Sequence, residues 1–447
     1  MKIPVHLPNI DSIISSLLAE GKMYPGKVSI TDAKGRYLHW DKLRFLPPPE
    51  GLTSEQWWAG IKHARRQMYK DIKIKDPDGK PFVFLYTDKI MSTLHWLDQN
   101  ESGFVGSQQA TLNSQMKNTY LTRSLIEESI NSSQLEGAST TWVVAKEMLR
   151  QNRKPSNKHE QMIYNNYLAM QFIREHKEEK LTPYFLLELQ KILTENTLED
   201  KDHAGCFRTK NEDIKVVSHL GDVLHVPPSA THLPDRMNDL CAFFNDSTAD
   251  TFIHPIVKSI ILHFLLGYEH PFIDGNGRTA RTLFYWSIAK QNYFLMEYIS
   301  VSKIIKKAPV KYGMAFLHTE IDENDLTYFI EHQLQIIQQA INDLYEYIEK
   351  KKKEIESSEA LFLSTKELSD ELNYRQLAIL KHAIKHPGHS YTIVEHKNSH
   401  GIAYDTARLD LSQLSDKFLF LTKEKRGKGF VFRAPKDLAQ RIQNEVK

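Results

Sequence analysis

Along the 447 residues the longest apolar run lies between Ile256 and Tyr268, with Lys258 its one charge. Val257, Ile260, Ile261, Phe264 and Tyr268 recur at helical spacing, so a buried helix is predicted. A second helix is predicted over Thr279 to Lys290. The stretch joining the two, His270 to Arg281, reads HPFIDGNGRTAR. It is a glycine-containing loop feeding a helix N-terminus. Helices are also predicted over 116–135, stopped by Gly137, and over about 139–151, 157–176 and 182–196. From Asp325 onward Ile330, Leu334, Ile337, Ile341, Leu344 and Ile348 step by four and three along one face of a long helix. Its charged run, Glu349 to Glu356, reads as a solvated end. One region alternates differently. Ile214 to Val217 and Val223 to Val226 are β-rich runs around a Gly-Asp turn, which predicts a hairpin ended by Pro227 and Pro228.

The two ends of the chain follow other patterns. Residues 1–104 read as a leader. It has turns at Asp32 to Gly35 and Asp76 to Gly79, a helix capped by Ser54, and a short strand over Phe82 to Tyr86. Trp57, Trp58 and Trp96 read as packing residues. The leader shows no chemistry and is expected to dock on the next domain or to serve a homodimer. After a linker over 357–369, residues 370–435 read as helix (Tyr374 to Lys385), strand (Tyr391 to Ile393), helix (Val394 to His400) and helix (Tyr404 to Phe418). A hairpin of Leu419 to Leu421 and Phe430 to Phe432 completes it, followed by a tail over 436–447. The fold class expected is mainly α.

Composition narrows the field. The length allows about three domains of ~150 residues, and the net charge of +2 leaves no field strong enough for the whole chain to collect polyanions. Two cysteines, Cys206 and Cys241, make no disulfide framework. Neither an apolar signal core nor a membrane span is predicted, so the expectation is a cytoplasmic protein without a membrane partner. HExxH, CxxC and GxxxxGK strings are lacking, and His219, His225 and His232 read as surface residues. His254 and His263 call for an ordinary reading, His263 as a hydrogen-bonded core histidine.

The chemistry concentrates in the joining loop. Gly275 and Gly277 allow backbone N–H groups to converge on one spot, where the helix dipole favours an anion. Arg278 and Arg281 can each fork two hydrogen bonds onto phosphate oxygens. Asp274 is a hard oxygen ligand suited to Mg2+, and His270 is a candidate general base.

HPFIDGNGR followed by TAR resembles the full signature of the Fic family, whose members transfer a nucleotide, commonly AMP, to protein hydroxyls. The resemblance extends over roughly 105–356. It implies a helical Fic-type core with its flap hairpin at 214–226 and its signature loop at 270–281. It implies His270 as the catalytic base and ATP as substrate. Phe272, Asp274, Gly275, Asn276, Gly277, Arg278 and Arg281 are then nucleotide-binding, with Asp274 also holding Mg2+. Tyr312 stands where relatives place a residue against the adenine, with core packing as the alternative. Upstream, NSSQLEG places Ser132, Glu136 and Gly137 as in the inhibitory motif of self-braked relatives, on the helix over 116–137. There the glutamate pairs with the second arginine, here Arg281. The flap residues Ile214, Lys215, Val216 and Val217 are expected to pair with an extended segment of a target protein.

YDTARLDLSQL, within 370–435, resembles the recognition helix of winged-helix proteins. Thr406, Arg408 and Gln413 are then expected to face a groove, and Lys423, Lys425, Arg426 and Lys428 to meet phosphates of DNA. Asp405, Asp410 and Asp416 on the same helix weigh against that partner. The implied activity is AMP transfer to a Ser, Thr or Tyr hydroxyl, held low by Glu136, with AMP removal also open. UMP transfer and a nucleotide-sensing DNA-binding regulator are the competing readings.

Overall fold

The computed structural model describes residues 3–19, 29–111, 114–212, 214–218, 220–246, 252–363, 371–426 and 429–444. His219, Lys428 and residues 364–369 of the predicted linker lie outside them. The chain opens with α1 (Ile10–Ala19), α2 (Trp40–Leu43) and α3 (Ser54–Arg66). Trp40, Trp57 and Trp58 bury their rings together there. The cap of α3 is Thr53 rather than Ser54. Its hydroxyl accepts the Gln56 N–H, and the Gln56 side chain accepts the Thr53 N–H, a reciprocal capping box.

A hairpin of β1 (Lys70–Lys75) and β2 (Pro81–Phe84) follows, then α4 (Asp88–Thr111). β1 escapes sequence reading because Ile72 and Ile74 are its only apolar residues. The leader boundary expected at 104 falls inside α4. Phe82, Phe84, Ile90, Leu94 and Leu97 belong to the main core, so the second half of the leader is part of the central body.

That body comprises α5 (Ser114–Leu135), α6 (Trp142–Gln151), α7 (Lys158–Glu175), α8 (Pro183–Thr194), the hairpin β3 (Val216–Val217) and β4 (Val223–His225), α9 (Leu233–Asn245), α10 (Pro255–Glu269), α11 (Asn276–Lys290), α12 (Val301–Lys307), α13 (Pro309–Ile321) and α14 (Thr327–Leu363). α10 and α11 pack on each other at its centre and are buried on nearly every face. That burial explains why α10 is apolar on nearly every face, while α11 buries Arg278, Arg281 and other polar side chains along with its apolar ones. The one charge in the run, Lys258, carries its ammonium out to the Asp246 carbonyl at 2.8 Å. α14 continues to Leu363, so residues 357–363 are helix and not linker. Glu359, Ala360, Leu361 and Leu363 are good helix formers, so the helix continues past the two serines.

A buried polar network joins the leader to α14. Lys62 pairs with Asp322 at 2.9 Å, both side chains fully buried. Tyr37 and Tyr69 donate to Asp325 at 2.5 and 2.8 Å, and Arg65 donates to the Tyr328 hydroxyl at 2.7 Å. Removing one member of a buried pair strands the other charge. Lys62→Met is therefore expected to lower stability by about 3–5 kcal/mol, read as an earlier urea or thermal transition.

The C-terminal unit contains α15 (Tyr374–Lys385), β5 (Ser390–Thr392), α16 (Ile393–His400), α17 (Tyr404–Ser412), β6 (Thr422–Arg426), β7 (Gly429–Arg433) and α18 (Leu438–Asn444). The sheet order is β5-β7-β6, antiparallel throughout. Three expectations change here. Leu419 to Leu421 are not a strand, because the N–H groups of Phe420 and Leu421 bond back to the Leu414 carbonyl at 2.9 and 3.1 Å. The first wing strand starts at Thr422 instead. Residues 438–444 are helix rather than tail, and Leu438 and Ile442 close the small core. Gln413 does not face outward: its side-chain oxygen accepts from Gln376 at 2.6 Å. Asp410 is buried in a cage of Arg375, His396 and Asn373. Arg408, Lys425 and Arg426 are exposed and Thr406 is half-buried, while Lys423 is paired with Asp416 at 3.0 Å. Among the described residues no helix is long and apolar enough to cross a membrane.

Candidate active site

α10 ends where His270 turns left-handed, at φ +46°, with its N–H still bonded to the Leu266 carbonyl at 3.1 Å. The ring folds back so that Nδ1 lies 3.2 Å from the Gly267 carbonyl. A carbonyl only accepts, so Nδ1 carries the proton and Nε2 keeps the lone pair when the ring is neutral. The loop beyond is stapled by Asn276. Its side chain accepts the Phe272 N–H at 2.9 Å and donates to the Phe272 carbonyl at 2.7 Å. The Phe272 ring is fully buried, stacked on Phe207 with centroids 5.6 Å apart. Phe272 thus anchors the loop in the core through its ring. Gly275, at φ +88°, caps α11, and its carbonyl takes both the N–H and the hydroxyl of Thr279 at 2.8 Å.

One residue that sequence reading passed over holds this turn. Arg208 donates from Nε to the His270 carbonyl at 2.8 Å and from Nη2 to the Pro228 carbonyl at 2.5 Å and the Glu269 carbonyl at 3.3 Å. Its own N–H bonds to the Pro271 carbonyl at 2.9 Å. It lies 62 positions from His270, and a lone arginine before the hairpin carries no local signal.

The two arginines differ in situation. Arg278 is fully buried, with Nη1 donating to the Leu193 carbonyl at 2.7 Å and Nη2 lying 3.5 Å from Asp274. The Asp274 carboxylate is half exposed. Arg281 is gripped from α5: Nε donates to the Ser132 hydroxyl at 2.9 Å, and Nη2 donates to the Ser132 carbonyl at 3.1 Å and to Glu136 at 2.7 Å. The Glu136 carboxylate also lies against the first turn of α11. A Cβ added to Gly277 would sit 2.1 Å from its Oε1. Only glycine admits the carboxylate at that helix N-terminus, where the dipole favours negative charge. Burial raises the Glu136 pKa, but Arg281, and after it Arg278 and His270, bring it below the ordinary glutamate value.

α5 is seated for this contact by a third residue at the same spacing. Glu128, Ser132 and Glu136 are four apart and share one face. Glu128 is buried and accepts from Tyr285 at 2.9 Å and from Ser300 at 2.8 Å, as well as from Ser302. Gly137, at φ +92°, turns the chain away immediately afterwards.

The remaining predicted residues lie around this centre. The Tyr312 hydroxyl hydrogen-bonds His263 at 2.8 Å within an aromatic group including Phe316 and Phe329. Burial raises its pKa to about 12 and Arg281 opposes the rise. Tyr312 is thus packed beside Arg281. Ile214 and Lys215 precede β3, and Val216 and Val217 form it. β3 pairs with β4 alone among the described residues, and Val217, Leu220 and Val223 are exposed. His225 is not the surface residue expected. It is buried, with Nε2 donating to the Tyr268 carbonyl at 2.7 Å and Nδ1 at 2.6 Å from Glu320. Burial pulls its pKa down, Glu320 pulls it up, and the balance lies above the ordinary value. This residue fastens the hairpin to the end of α10.

Burial, opposed by the Gly267 contact, lowers the His270 pKa to about 4; nearby His225 and Arg208 lower it further while Glu136 raises it. A ring with so low a value is neutral at pH 7 and ready to accept a proton. The acid limb of kcat/KM for the Glu136→Gly protein is therefore expected well below pH 6.5. Losing Glu136 removes a charge that favours the protonated ring, so the limb moves down and not up. A limb at the ordinary histidine value would contradict this environment.

Comparisons with known proteins fit the geometry. The family described as Fic/DOC matches residues 180–288. This range holds α8, the hairpin, α10 and the loop through Arg281, but not Glu136 or Tyr312. The chain is 47% identical over 62 residues to the protein adenylyltransferase Fic of Nematostella vectensis, which is 13% of this chain and 14% of that protein. It is 42% identical over 57 residues to the protein adenylyltransferase fic-1 of Caenorhabditis elegans, 13% of this chain and 11% of that one. The chain thus spans about one seventh or less of the curated relatives it matches. In structure it resembles a Fic family protein from Desulfovibrio desulfuricans G20, with a TM-score of 0.50 at 17% identity, covering 78% of this chain and 96% of that one. That likeness bears on the fold alone. The signature loop and its stapled turn lie inside residues 180–288, the region that matches the Fic/DOC family.

Proposed function

We propose that this protein transfers AMP from ATP to hydroxyl groups of proteins, its own included, and that Glu136 restrains it. The observation that carries the reading is the seat of the Glu136 carboxylate, bonded to Arg281 and resting on Gly277 at the N-terminus of α11. A place built to hold an anion next to a neutral histidine suits a polyphosphate and a proton acceptor. When Glu136 leaves, Arg281 and the α11 N-terminus receive the outer phosphates. A target hydroxyl attacks the α-phosphorus as its proton passes to His270 Nε2. The new O–P bond forms as the bond to the β-phosphate bridge breaks, and pyrophosphate leaves. Asp274, half exposed at the turn, would hold Mg2+, which screens the phosphate charge. β3, with Val216 and Val217, would take an extended target segment by strand addition.

The test is transfer of label from α-labelled ATP to the full chain with magnesium, in parallel with α-labelled UTP. Gain of the mass of AMP from ATP, with little label from UTP, is the expected result. Preferential labelling by UTP would replace AMP by UMP in the reading. Loss of AMP from modified protein in the same assay would assign removal to this site, with Glu136 placing the water.

A further inference from the structure

A second concave site lies along α5, at the end away from Glu136. The C-terminal unit docks there on α5 and α6 through α16. Asn398 donates to the Arg150 carbonyl and Arg150 to the Ser399 hydroxyl. Gly401, at φ +63°, brings the backbone so near that an added Cβ would meet Asn118 Cβ at 3.0 Å. Beside this junction a cleft of about 450 Å³ opens between α5, the end of α14, α15 and α16, within the range of about 300–1,000 Å³ of small-molecule sites. A hollow of about 410 Å³ between α5, α6 and α14 adjoins it, sharing Arg150, Tyr347 and Lys351 as a wall.

Its chemistry is one-sided. Arg150 and Lys385 line the cleft with Lys351 and Lys381, which have partners of their own, and among the described residues Glu395 is the one carboxylate of the lining. Arg123 and Lys146 line the adjoining hollow against Glu127. Burial lowers the Lys146 pKa, and Arg150 and Arg123 lower it further. His382 at the mouth is brought to about 4 by burial and by His389, His386, Arg150 and Lys351. So many cations held together favour an anion between them. The rings of Tyr120, Tyr347, Tyr374 and Tyr391 supply flat apolar surface in the same space, and Tyr347 already stacks the Arg123 guanidinium at 3.3 Å.

We propose that this cleft binds a small organic anion carrying a flat ring, of the nucleoside monophosphate class. The cations take the phosphate and the tyrosines take the ring. The site stands apart from the Fic loop and does not depend on the activity proposed for that loop. Its wall on α5 is the helix that ends at Glu136. From Thr119 to Leu135 that helix runs about 24 Å as one rod at ~1.5 Å per residue. A ligand bridging α5 to α15 therefore holds α5 in the position that seats Glu136.

The test uses the full chain with GMP and inorganic phosphate as probes, read by calorimetry and by hydrogen exchange. GMP is expected to slow exchange over 119–127 and 374–400 and onward along α5 to 135. Inorganic phosphate should bind at least tenfold more weakly. Lys385→Glu, an exposed substitution that leaves the fold intact, should weaken GMP at least tenfold, and Tyr374→Ala likewise. Protection confined to 270–281 would overturn the proposal, since GMP would then occupy the Fic site. Equal affinity for phosphate and GMP would overturn the ring site. Unchanged GMP affinity in both variants, or no binding at all, would overturn it outright.

Discussion

On the proposed function, Glu136→Gly is expected to raise self-modification with AMP roughly ten- to a hundred-fold, the weight of one charge-assisted hydrogen bond at an anion site. The contact is specific. Arg281 keeps its bonds to the Ser132 hydroxyl and carbonyl when Glu136 is lost, and Glu128 still seats α5 through Tyr285 and Ser300. The substitution therefore removes a carboxylate without unseating the helix. Glycine also suits the end of a helix better than most replacements. What changes is the charge resting on Gly277 and Arg281, the place proposed for the outer phosphates. Initial rates with α-labelled ATP in wild type, Glu136→Gln and Glu136→Gly measure it. The glutamine variant keeps the shape without the charge, so it falls between the two. If the glycine protein shows wild-type rate and wild-type ATP affinity, Glu136 is not a brake.

In the Glu136→Gly background, His270→Ala is expected to lower the rate by about 10²–10⁴-fold, the range for losing a positioned general base. The Gly267 contact directs the protonated Nδ1 backward and leaves Nε2 as the accepting atom. The groups proposed to hold phosphate, Arg281 and the first turn of α11, are untouched, so ATP affinity is expected to stay close to that of the parent. Because His270 sits at φ +46°, alanine could disturb the loop as well as the chemistry. His270→Asn tolerates that backbone better and separates the two effects. Full transfer activity in the asparagine protein would assign the proton to another group. Loss of ATP binding in both proteins would assign His270 to the architecture of the loop.

Part of this site was legible from local sequence. His270 through Arg281 is one contiguous stretch. Its helix-ending apolar run, glycine turn and arginines are ordered by neighbours only a few positions away, and hydrophobic spacing placed α10 and α14 for the same reason. Other residues gave no such signal. Arg208 bonds carbonyls that are far off in sequence. His225 resembles any histidine of a polar hairpin until Glu320 and the Tyr268 carbonyl are brought to its two nitrogens. Phe272 sits inside the signature, yet its ring belongs to the core.

Segment ends were misread where tertiary bonds overrule local pattern. Leu419 to Leu421 has the composition of a strand, but its N–H groups are taken by Leu414. Residues 357–363 begin with two serines, as a linker would, but they extend α14. Motif spacing and helical periodicity are local, so the sequence alone marked His270 to Arg281 as the candidate chemistry and placed the two helices that flank it. Only the tertiary structure decided that Glu136 rests on Gly277, that half the leader belongs to the central body, and that the C-terminal unit is docked along α5. Each of these joins residues across more than a hundred positions, where apolar burial and buried charge pairing select the partner and chain order does not.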